Sequence, residues 1–263
     1  MPFASAPDGA RIYYETNGRG EPLLLVMGRG SNHFGWGPIA SDFAARWQVI
    51  VYDQRGTGQS DKPHSPPYSL HGFAQDALAV LDDLGRPRAH VYGVSMGGRI
   101  AQWLGIDAPA RVGARVLGWT TPGDAHGVAR SAAATAAMAS GQGAQPLMFS
   151  FLWMVTHLPL LASLGKNTPP PAYAVEMHAR ASEAHDAWDR LPEIKAPTLV
   201  VHGERDLVAP VANAHLLAER IPGAELHIVP RGRHMFYLEF RREVNRVVMD
   251  FLARYPLNKM SIN

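Results

Sequence analysis

The fold is decided by residues 91–98, Val-Tyr-Gly-Val-Ser-Met-Gly-Gly. The apolar beginning of this stretch predicts a buried strand and residues 96–107 predict a helix, so Ser95 lies in a one-residue turn between them. A strand that reverses this sharply crowds the positions on both sides of the serine, and Gly93 and Gly97 remove the collision. The pattern predicts a nucleophile elbow. The alternative is a structural turn whose serine has no chemical role.

Apolar runs alternate with amphipathic runs along most of the chain. We predict strands at residues 10–15, 22–27, 47–52, 90–94, 114–120, 197–203 and 224–229. We predict helices at residues 40–46, 70–84, 96–107, 211–220 and 237–255. Strands that alternate with helices form parallel sheets, because each crossover helix covers one face of the sheet. The pattern therefore predicts an α/β fold with a doubly wound, mostly parallel sheet.

Residues 122–195 differ in kind from the rest of the chain. They contain, in order, an alanine-rich run, twenty residues without a charged side chain and a further helical run, at residues 131–139, 146–165 and 173–190. We predict that this segment is a helical cap, or lid, inserted into an α/β core made of residues 1–121 and 196–263. The alternative is that its helices extend the core.

The composition excludes several classes of site. The chain has 263 residues, 46% of them hydrophobic, a formal net charge of +2 and no cysteine. This length can bury the core of one domain with an insertion. Because no run of basic residues occurs, we do not expect nucleic acid as a partner. Without cysteine there is no disulfide and no thiolate ligand, and no histidine motif such as H-E-x-x-H occurs, so we expect no metal.

Two stretches bear on location. Residues 1–10 lack the basic start and apolar core of a signal peptide. Residues 146–165 are long enough to cross a bilayer, but His157 and Pro159 interrupt them. We therefore expect no membrane span and a cytoplasmic location. The sequence leaves the oligomeric state open.

Three chemically complementary residues follow predicted strands. Ser95, Asp206 and His234 each lie just beyond the carboxyl end of a strand, and these ends meet at one edge of a parallel sheet. A serine hydroxyl is a poor nucleophile at neutral pH, so it needs a base, and the base needs a carboxylate to fix its tautomer. We predict a catalytic triad. Asp124 and Asp189 are weaker candidates for the acid, because neither follows a convincing strand end.

A second glycine-rich loop leaves the strand at residues 22–27. Its sequence, residues 28–32, is Gly-Arg-Gly-Ser-Asn, and we predict that the backbone N–H of Arg29 joins that of Met96 in an oxyanion hole. The alternative is a plain turn. Residues 53–61 also contain glycines, but no helix follows directly and no Lys-Ser/Thr pair occurs, so we assign them a structural role rather than phosphate binding.

These motifs together resemble the α/β-hydrolase superfamily, in which nucleophile, acid and histidine occur in this order. The resemblance rests on four motifs: Gly93-x-Ser95-x-Gly97-Gly98, Asp53-x-Arg55-Gly56-x-Gly58-x-Ser60, Gly203-x-x-Asp206-x-x-x-Pro210 and Gly232-x-His234. It covers nearly the whole chain outside the cap. The chain length, the elbow and the helical cap are similar to the group of enol-lactonases, small esterases and perhydrolases. One departure is Met27-Gly28, where many relatives have His-Gly.

The resemblance implies a serine esterase, a carboxylesterase or a lactonase, that acts through an acyl-enzyme on Ser95 on a small ester or lactone without a cofactor. The same triad also supports a carbon-carbon bond hydrolase or lyase, and a biosynthetic cyclase or thioesterase. A non-catalytic receptor for a small ligand is an alternative of another class. Members that use aspartate at the elbow, such as epoxide hydrolases, are disfavoured by the serine.

We also predict residues of the substrate pocket. They are small, apolar or basic residues near the elbow and in the cap: Gly28, Arg99, Phe149, Phe151, Trp153, Met154, Leu158 and Met235. Arg99 resembles the arginine that helps to hold a substrate carboxylate in a menaquinone-pathway synthase, and its alternative is a solvated side chain. The aromatic cap residues have packing of cap against core as their alternative. On the pocket hypothesis, Trp153→Ala changes substrate preference more than stability.

Overall fold

The computed structural model describes residues 2–140, 144–164 and 169–259. In these residues the strands are β1 Phe3–Ser5, β2 Arg11–Asn17, β3 Pro22–Val26, β4 Gln48–Tyr52, β5 Ala89–Val94, β6 Val112–Gly118, β7 Thr198–Gly203 and β8 Glu225–Val229. The helices are α1 Pro38–Ala44, α2 Leu70–Asp83, α3 Met96–Asp107, α4 Ala132–Ser140, α5 Gln145–Met148, α6 Phe151–Thr156, α7 Leu158–Leu164, α8 Ala172–Glu183, α9 Ala212–Arg220, α10 Phe236–Glu239 and α11 Arg241–Ala253.

The strands form one sheet in the order β1-β2-β4-β3-β5-β6-β7-β8. β2 pairs antiparallel with both β1 and β4, and every other pair of neighbours is parallel. Each parallel pair needs a crossover connection, which the intervening helices supply. The predicted α/β class with a doubly wound, mostly parallel sheet is confirmed.

Helices bury both faces of the sheet. Successive residues of a strand point to opposite faces, so in β3 Leu24 belongs to one core cluster and Leu23 to the other. The first cluster includes buried residues of α2, α3 and α9, and the second includes buried residues of α1 and α11. This arrangement explains why the central strands are continuous apolar runs rather than alternating ones.

Two details of the secondary structure differ from expectation. The sequence predicts one helix over residues 237–255, but the chain forms α10 and then α11, separated at Phe240 with φ −108° and ψ 32°. The buried side chains of Phe236 and Tyr237 anchor the first turn in the core, so tertiary packing overrides the helical pattern. β1 also lies outside β2, at the edge of the sheet, and its three residues are too few to show a period.

The segment between β6 and β7 contains the helices α4 to α8, preceded by an irregular stretch in which Gly123 forms an isolated β-bridge with Asp186. Its uncharged stretch forms three short helices, α5, α6 and α7, rather than one long one, and Gly165 at its end lies outside the described residues. Within the described ranges, no helix combines the length and the apolar character that crossing a membrane requires. The assignment of residues 122–195 as a separate cap stays a prediction, although Ala174 and Ala181 of α8 belong to the first core cluster.

Candidate active site

Ser95 joins β5 to α3 with a backbone conformation that is rare outside glycine. Its φ is 54° and its ψ is −120°, so the residue is strained and its side chain leaves the sheet edge abruptly. The elbow is as crowded as the sequence implies: a Cβ built on Gly93 would lie 2.2 Å from the carbonyl oxygen of Gly97, and a Cβ on Gly97 would lie 2.1 Å from that of Val26. Strand and helix can approach this closely only with glycine at both positions.

His234 and Asp206 meet at the same edge of the sheet. Asp206 follows β7 and His234 follows β8, and both side chains are buried. The Nδ1 of His234 lies 2.8 Å from Oδ2 of Asp206. The network assigns the proton of the neutral ring to Nδ1, because a carboxylate oxygen can only accept, and this leaves the lone pair on Nε2. That tautomer is the one required of a general base.

The Asp206 carboxylate is held in its charged form. Its Oδ1 accepts hydrogen bonds from the backbone N–H groups of Val208 at 2.8 Å and Ala209 at 2.9 Å. Burial by itself raises the pKa of Asp206, but the electrostatic interaction with His234 and the hydrogen bonds from His202 and His234 outweigh it and hold the pKa well below its usual range. The acid can therefore orient the imidazole as a carboxylate at any physiological pH.

The loop after β3 lies directly against the elbow. A Cβ built on Gly28 would lie 3.2 Å from the Cβ of Ser95, so a side chain there would crowd the nucleophile. The start of the loop is held in place by Gln54, whose side-chain amide donates to the carbonyl of Met27 at 2.6 Å. Asp53 accepts from the backbone N–H and the ring Nδ1 of His33, at 2.9 and 2.7 Å. These contacts agree with the structural role assigned to residues 53–61.

A cavity of about 360 Å³ opens beside Ser95 and His234. The predicted oxyanion residues Arg29 and Met96 line it, and so do four of the predicted pocket residues, Gly28, Arg99, Phe149 and Met235. The other four predicted pocket residues are absent from its described wall. Phe151 and Leu158 are largely exposed, and Trp153 is buried in a stack between Phe149 and His157, with ring centroids 4.6 and 4.5 Å away; Met154 packs against the second core cluster.

Arg99 lies in the cavity wall, but its guanidinium is already engaged. Nη2 donates to Oγ1 of Thr121 at 2.7 Å and to Oδ1 of Asp124 at 3.0 Å. Nη1 donates to both the carbonyl and the hydroxyl oxygen of Ser182, which belongs to α8. Burial lowers the pKa of Arg99 despite the opposing charge of Asp124. Arg99 therefore joins the helix behind the nucleophile to the segment above the cavity.

Two residues that contact His234 and Asp206 are not predicted from the sequence. Trp119 follows β6 with φ 36°, stacks on Tyr237 with ring centroids 4.6 Å apart and packs edge-on against His234. His202 places Nε2 2.7 Å from the carbonyl of Ala209, which fixes the loop that carries Asp206. Both residues sit at the ends of predicted strands, and that position at the sheet edge was the available signal.

Metal ligation has no support in the part of the chain that the structure describes. No group of three or more histidine, aspartate or glutamate side chains there could hold an ion. Within the same residues, the Ser95 hydroxyl has no hydrogen-bond partner, so it can rotate towards His234 or towards a bound carbonyl group. The site therefore has the parts for nucleophilic chemistry supported by a histidine and a carboxylate.

Known proteins match this chain along nearly its whole length. Residues 21–134 match the family described as alpha/beta hydrolase fold, and residues 163–241 match the family described as serine aminopeptidase, S33. A protein of Variovorax paradoxus (strain S110) named "Putative carbamate hydrolase RutD" is 34% identical over 262 residues, which cover 92% of this chain and 96% of that protein.

Two solved structures also resemble it closely. One, Est816, is described as an N-acyl homoserine lactone degrading enzyme; it is 35% identical, has a TM-score of 0.83 and covers 95% of this chain and 100% of its own. The other is the enol-lactonase from Burkholderia xenovorans LB400, which is 25% identical with a TM-score of 0.83 and covers 96% of this chain and 100% of its own. These relatives agree on hydrolysis and differ in substrate.

Proposed function

Because this chain belongs to the α/β-hydrolase superfamily and is a hydrolase, we propose that it cleaves a carboxylic ester or lactone through an acyl-enzyme on Ser95. The observation that carries the proposal is the 2.8 Å hydrogen bond between His234 and Asp206, at the wall of the cavity that Ser95 also lines. The lactone-cleaving activities named for two of its structural relatives support the choice of bond.

In the first half-reaction, Oγ of Ser95 attacks the substrate carbonyl carbon while Nε2 of His234 takes the hydroxyl proton. The oxyanion is stabilised by the backbone N–H groups of Met96 and Arg29, which cost no reorganisation because α3 and the loop after β3 fix them. Collapse of the tetrahedral intermediate breaks the bond to the leaving oxygen, which receives the proton from His234. Asp206 stabilises the imidazolium in between.

In the second half-reaction, water replaces the leaving group. His234 takes a proton from the water as its oxygen attacks the acyl carbon, and the bond to Oγ of Ser95 then breaks. The proton returns to Ser95 and the free acid leaves. The hydrogen bond from Ser95 to His234 forms when the hydroxyl turns towards Nε2, since catalytic hydrogen bonds often tighten only in the substrate complex.

The test is turnover of p-nitrophenyl acetate, butyrate and octanoate by the wild-type protein and by Ser95→Ala. We expect hydrolysis with a burst of p-nitrophenol and a loss of at least about 10³-fold in kcat for the variant, because removal of the nucleophile leaves only the oxyanion hole and binding. Asp189→Asn, at an exposed acid whose partner is Arg220, is the control and keeps wild-type rates. Ester hydrolysis that survives Ser95→Ala contradicts the proposal.

A further inference from the structure

The wall of the cavity is strongly basic. Three of its described lining residues are arginines, Arg29, Arg99 and Arg130. No aspartate or glutamate is among the described lining residues. Arg29 belongs to the loop after β3, Arg99 to α3, and Arg130 precedes α4. Guanidinium groups stay charged at every accessible pH, so a concave wall of this composition attracts anions.

The three arginines are not equivalent. Both terminal nitrogens of Arg99 donate hydrogen bonds, to Thr121, Asp124 and Ser182. Its side chain therefore connects α3 to α8. It contributes positive charge to the cavity but offers a ligand no free N–H donor on its terminal nitrogens. This arrangement argues against the expectation that Arg99 itself grips a carboxylate.

Arg29 and Arg130 have their donors free. Across residues 2–140, 144–164 and 169–259, neither guanidinium makes a hydrogen bond or an ion pair. They also lie close enough to disfavour one another, because the charge of Arg130 adds to burial in lowering the pKa of Arg29, against a weaker opposing effect of Glu183. Both side chains keep solvent-accessible surface, Arg29 more than Arg130, so both guanidinium groups can meet an anion that enters the cavity.

The balance of charge indicates the kind of anion. Asp124 pairs with Arg99, and Glu183 offsets part of the charge of Arg29, so the net positive charge left on this wall is below the two of an isolated Arg29 and Arg130. A carboxylate carries one negative charge and presents two oxygens to a guanidinium fork, whereas a phosphate monoester carries nearly two charges at neutral pH. The remaining wall is rich in methionine, including Met27, Met138 and Met148, and suits a hydrocarbon chain.

We propose that Arg29 and Arg130 form a subsite for a carboxylate of the substrate, so that the preferred ester or lactone carries a free carboxylate on a short hydrocarbon chain. The inference rests on the proposed function, because the scissile carbonyl must lie at Ser95. Arg29 then serves both ends of the substrate, with its backbone N–H at the oxyanion and its side chain at the carboxylate. A cavity of about 360 Å³ lies within the range of small-ligand pockets.

The test compares two esters that differ only in charge, mono-(4-nitrophenyl) adipate and its methyl ester. We expect kcat/KM to favour the acid by about tenfold in the wild-type protein, and the preference to disappear in Arg130→Gln and in Arg29→Gln, which keeps the backbone N–H. Arg246→Gln, at an exposed position of α11, is the control and keeps the preference. Equal rates for both esters, or a preference that survives both substitutions, overturn the subsite.

A binding measurement separates this inference from the proposed function. Monomethyl adipate and dimethyl adipate are titrated by calorimetry into Ser95→Ala, with and without Arg130→Gln. Tighter binding of the monomethyl ester that is lost with Arg130 supports the subsite even if neither nitrophenyl ester is cleaved, and in that case only the proposed function fails. Efficient cleavage by the wild-type protein with equal binding of the two probes removes the subsite and leaves the serine mechanism intact.

Discussion

The carboxylate of Asp206 has more hydrogen-bonding and charged partners than one triad contact requires. Two backbone N–H groups, His234 and His202 all face its carboxylate, and the pKa stays low although burial acts to raise it. A carboxylate with this many partners is fixed in position, and it fixes the ring of His234 in turn. The motif Gly203-x-x-Asp206 predicts the acid, whereas the position of His202 near the end of a predicted strand is a weaker signal, because a histidine inside a buried strand is more often a core residue.

Replacing Asp206 by asparagine tests this role. The amide keeps the shape but offers N–H groups to the ring, so His234 adopts the wrong tautomer and no longer gains from a facing negative charge. We expect kcat on p-nitrophenyl butyrate to fall by about 10³- to 10⁴-fold with little change in KM. Steady-state kinetics of Asp206→Asn measure it, and a variant that loses less than tenfold in kcat would show that another acid orients His234.

At the scale of elements, His178 ties α8 to the loop after β3. The backbone N–H of Gly30 donates to Nδ1 of His178 at 3.4 Å, and Nε2 of the same ring lies 2.8 Å from the carbonyl of Arg55. Burial, with a smaller effect of Arg29, lowers the pKa of His178 to about 4 against an opposing hydrogen bond. The ring is therefore neutral in the folded protein at neutral pH and links the helix above the cavity to the loop below it.

His178 predicts a direction for stability against pH. The unfolded chain protonates this histidine near pH 6.5 but the folded protein only near the pKa of about 4, so its contribution is present above pH 6.5 and is lost as the pH falls towards 4. We expect about 2 kcal/mol of the unfolding free energy to be lost between pH 7 and pH 5 through this group. Urea unfolding at both pH values should give a smaller loss in His178→Gln.

The exposed His215 of α9 supplies the matched control. His215→Gln should leave the pH dependence of the wild-type protein unchanged. If the unfolding free energy of His178→Gln fell with pH as steeply as that of the wild-type protein, other groups would cause the pH dependence. Buried His185, whose pKa burial lowers to about 3, is one such group.

α6 gives a second prediction at this scale. Trp153 is buried between the rings of Phe149 and His157, and only Phe149 of the three lines the cavity. Trp153→Ala should therefore cost about 3 kcal/mol of stability and change the acyl-chain preference little, while Phe149→Ala changes the preference. Thermal unfolding and a p-nitrophenyl ester series measure both, and an altered preference in a fully stable Trp153→Ala would restore the pocket role that hydrophobicity alone suggests.

For the whole molecule, local sequence patterns predict the sheet well, together with the edge at which Ser95, Asp206 and His234 lie. The strand-turn-helix around Ser95, and the positions of Asp206 and His234 after strands, are short-range features that the chain carries in its order. The residues that form the cavity wall are not decided by short-range features. Phe151, Trp153 and Leu158 form one apolar stretch, and only tertiary packing decides which of its faces turns inward.

The same limit applies to charge. Arg130 is separated from Arg29 by about a hundred residues in the sequence and carries no motif, yet both line one cavity. Such a pair exists only once β3 and the segment after β6 come together, so composition and spacing cannot reveal it. The elbow, by contrast, is visible because its glycines are required by backbone contacts within and beside a single turn.

The central claim is the covalent acyl-enzyme on Ser95, and trapping it is the most direct test. The protein is mixed with p-nitrophenyl butyrate, quenched in acid within the burst and analysed by mass spectrometry of the intact chain and its peptides. The account predicts a single butyryl group on the peptide that contains Ser95, and none in Ser95→Ala. An adduct on another residue, or steady turnover with no adduct and full activity in Ser95→Ala, would contradict it.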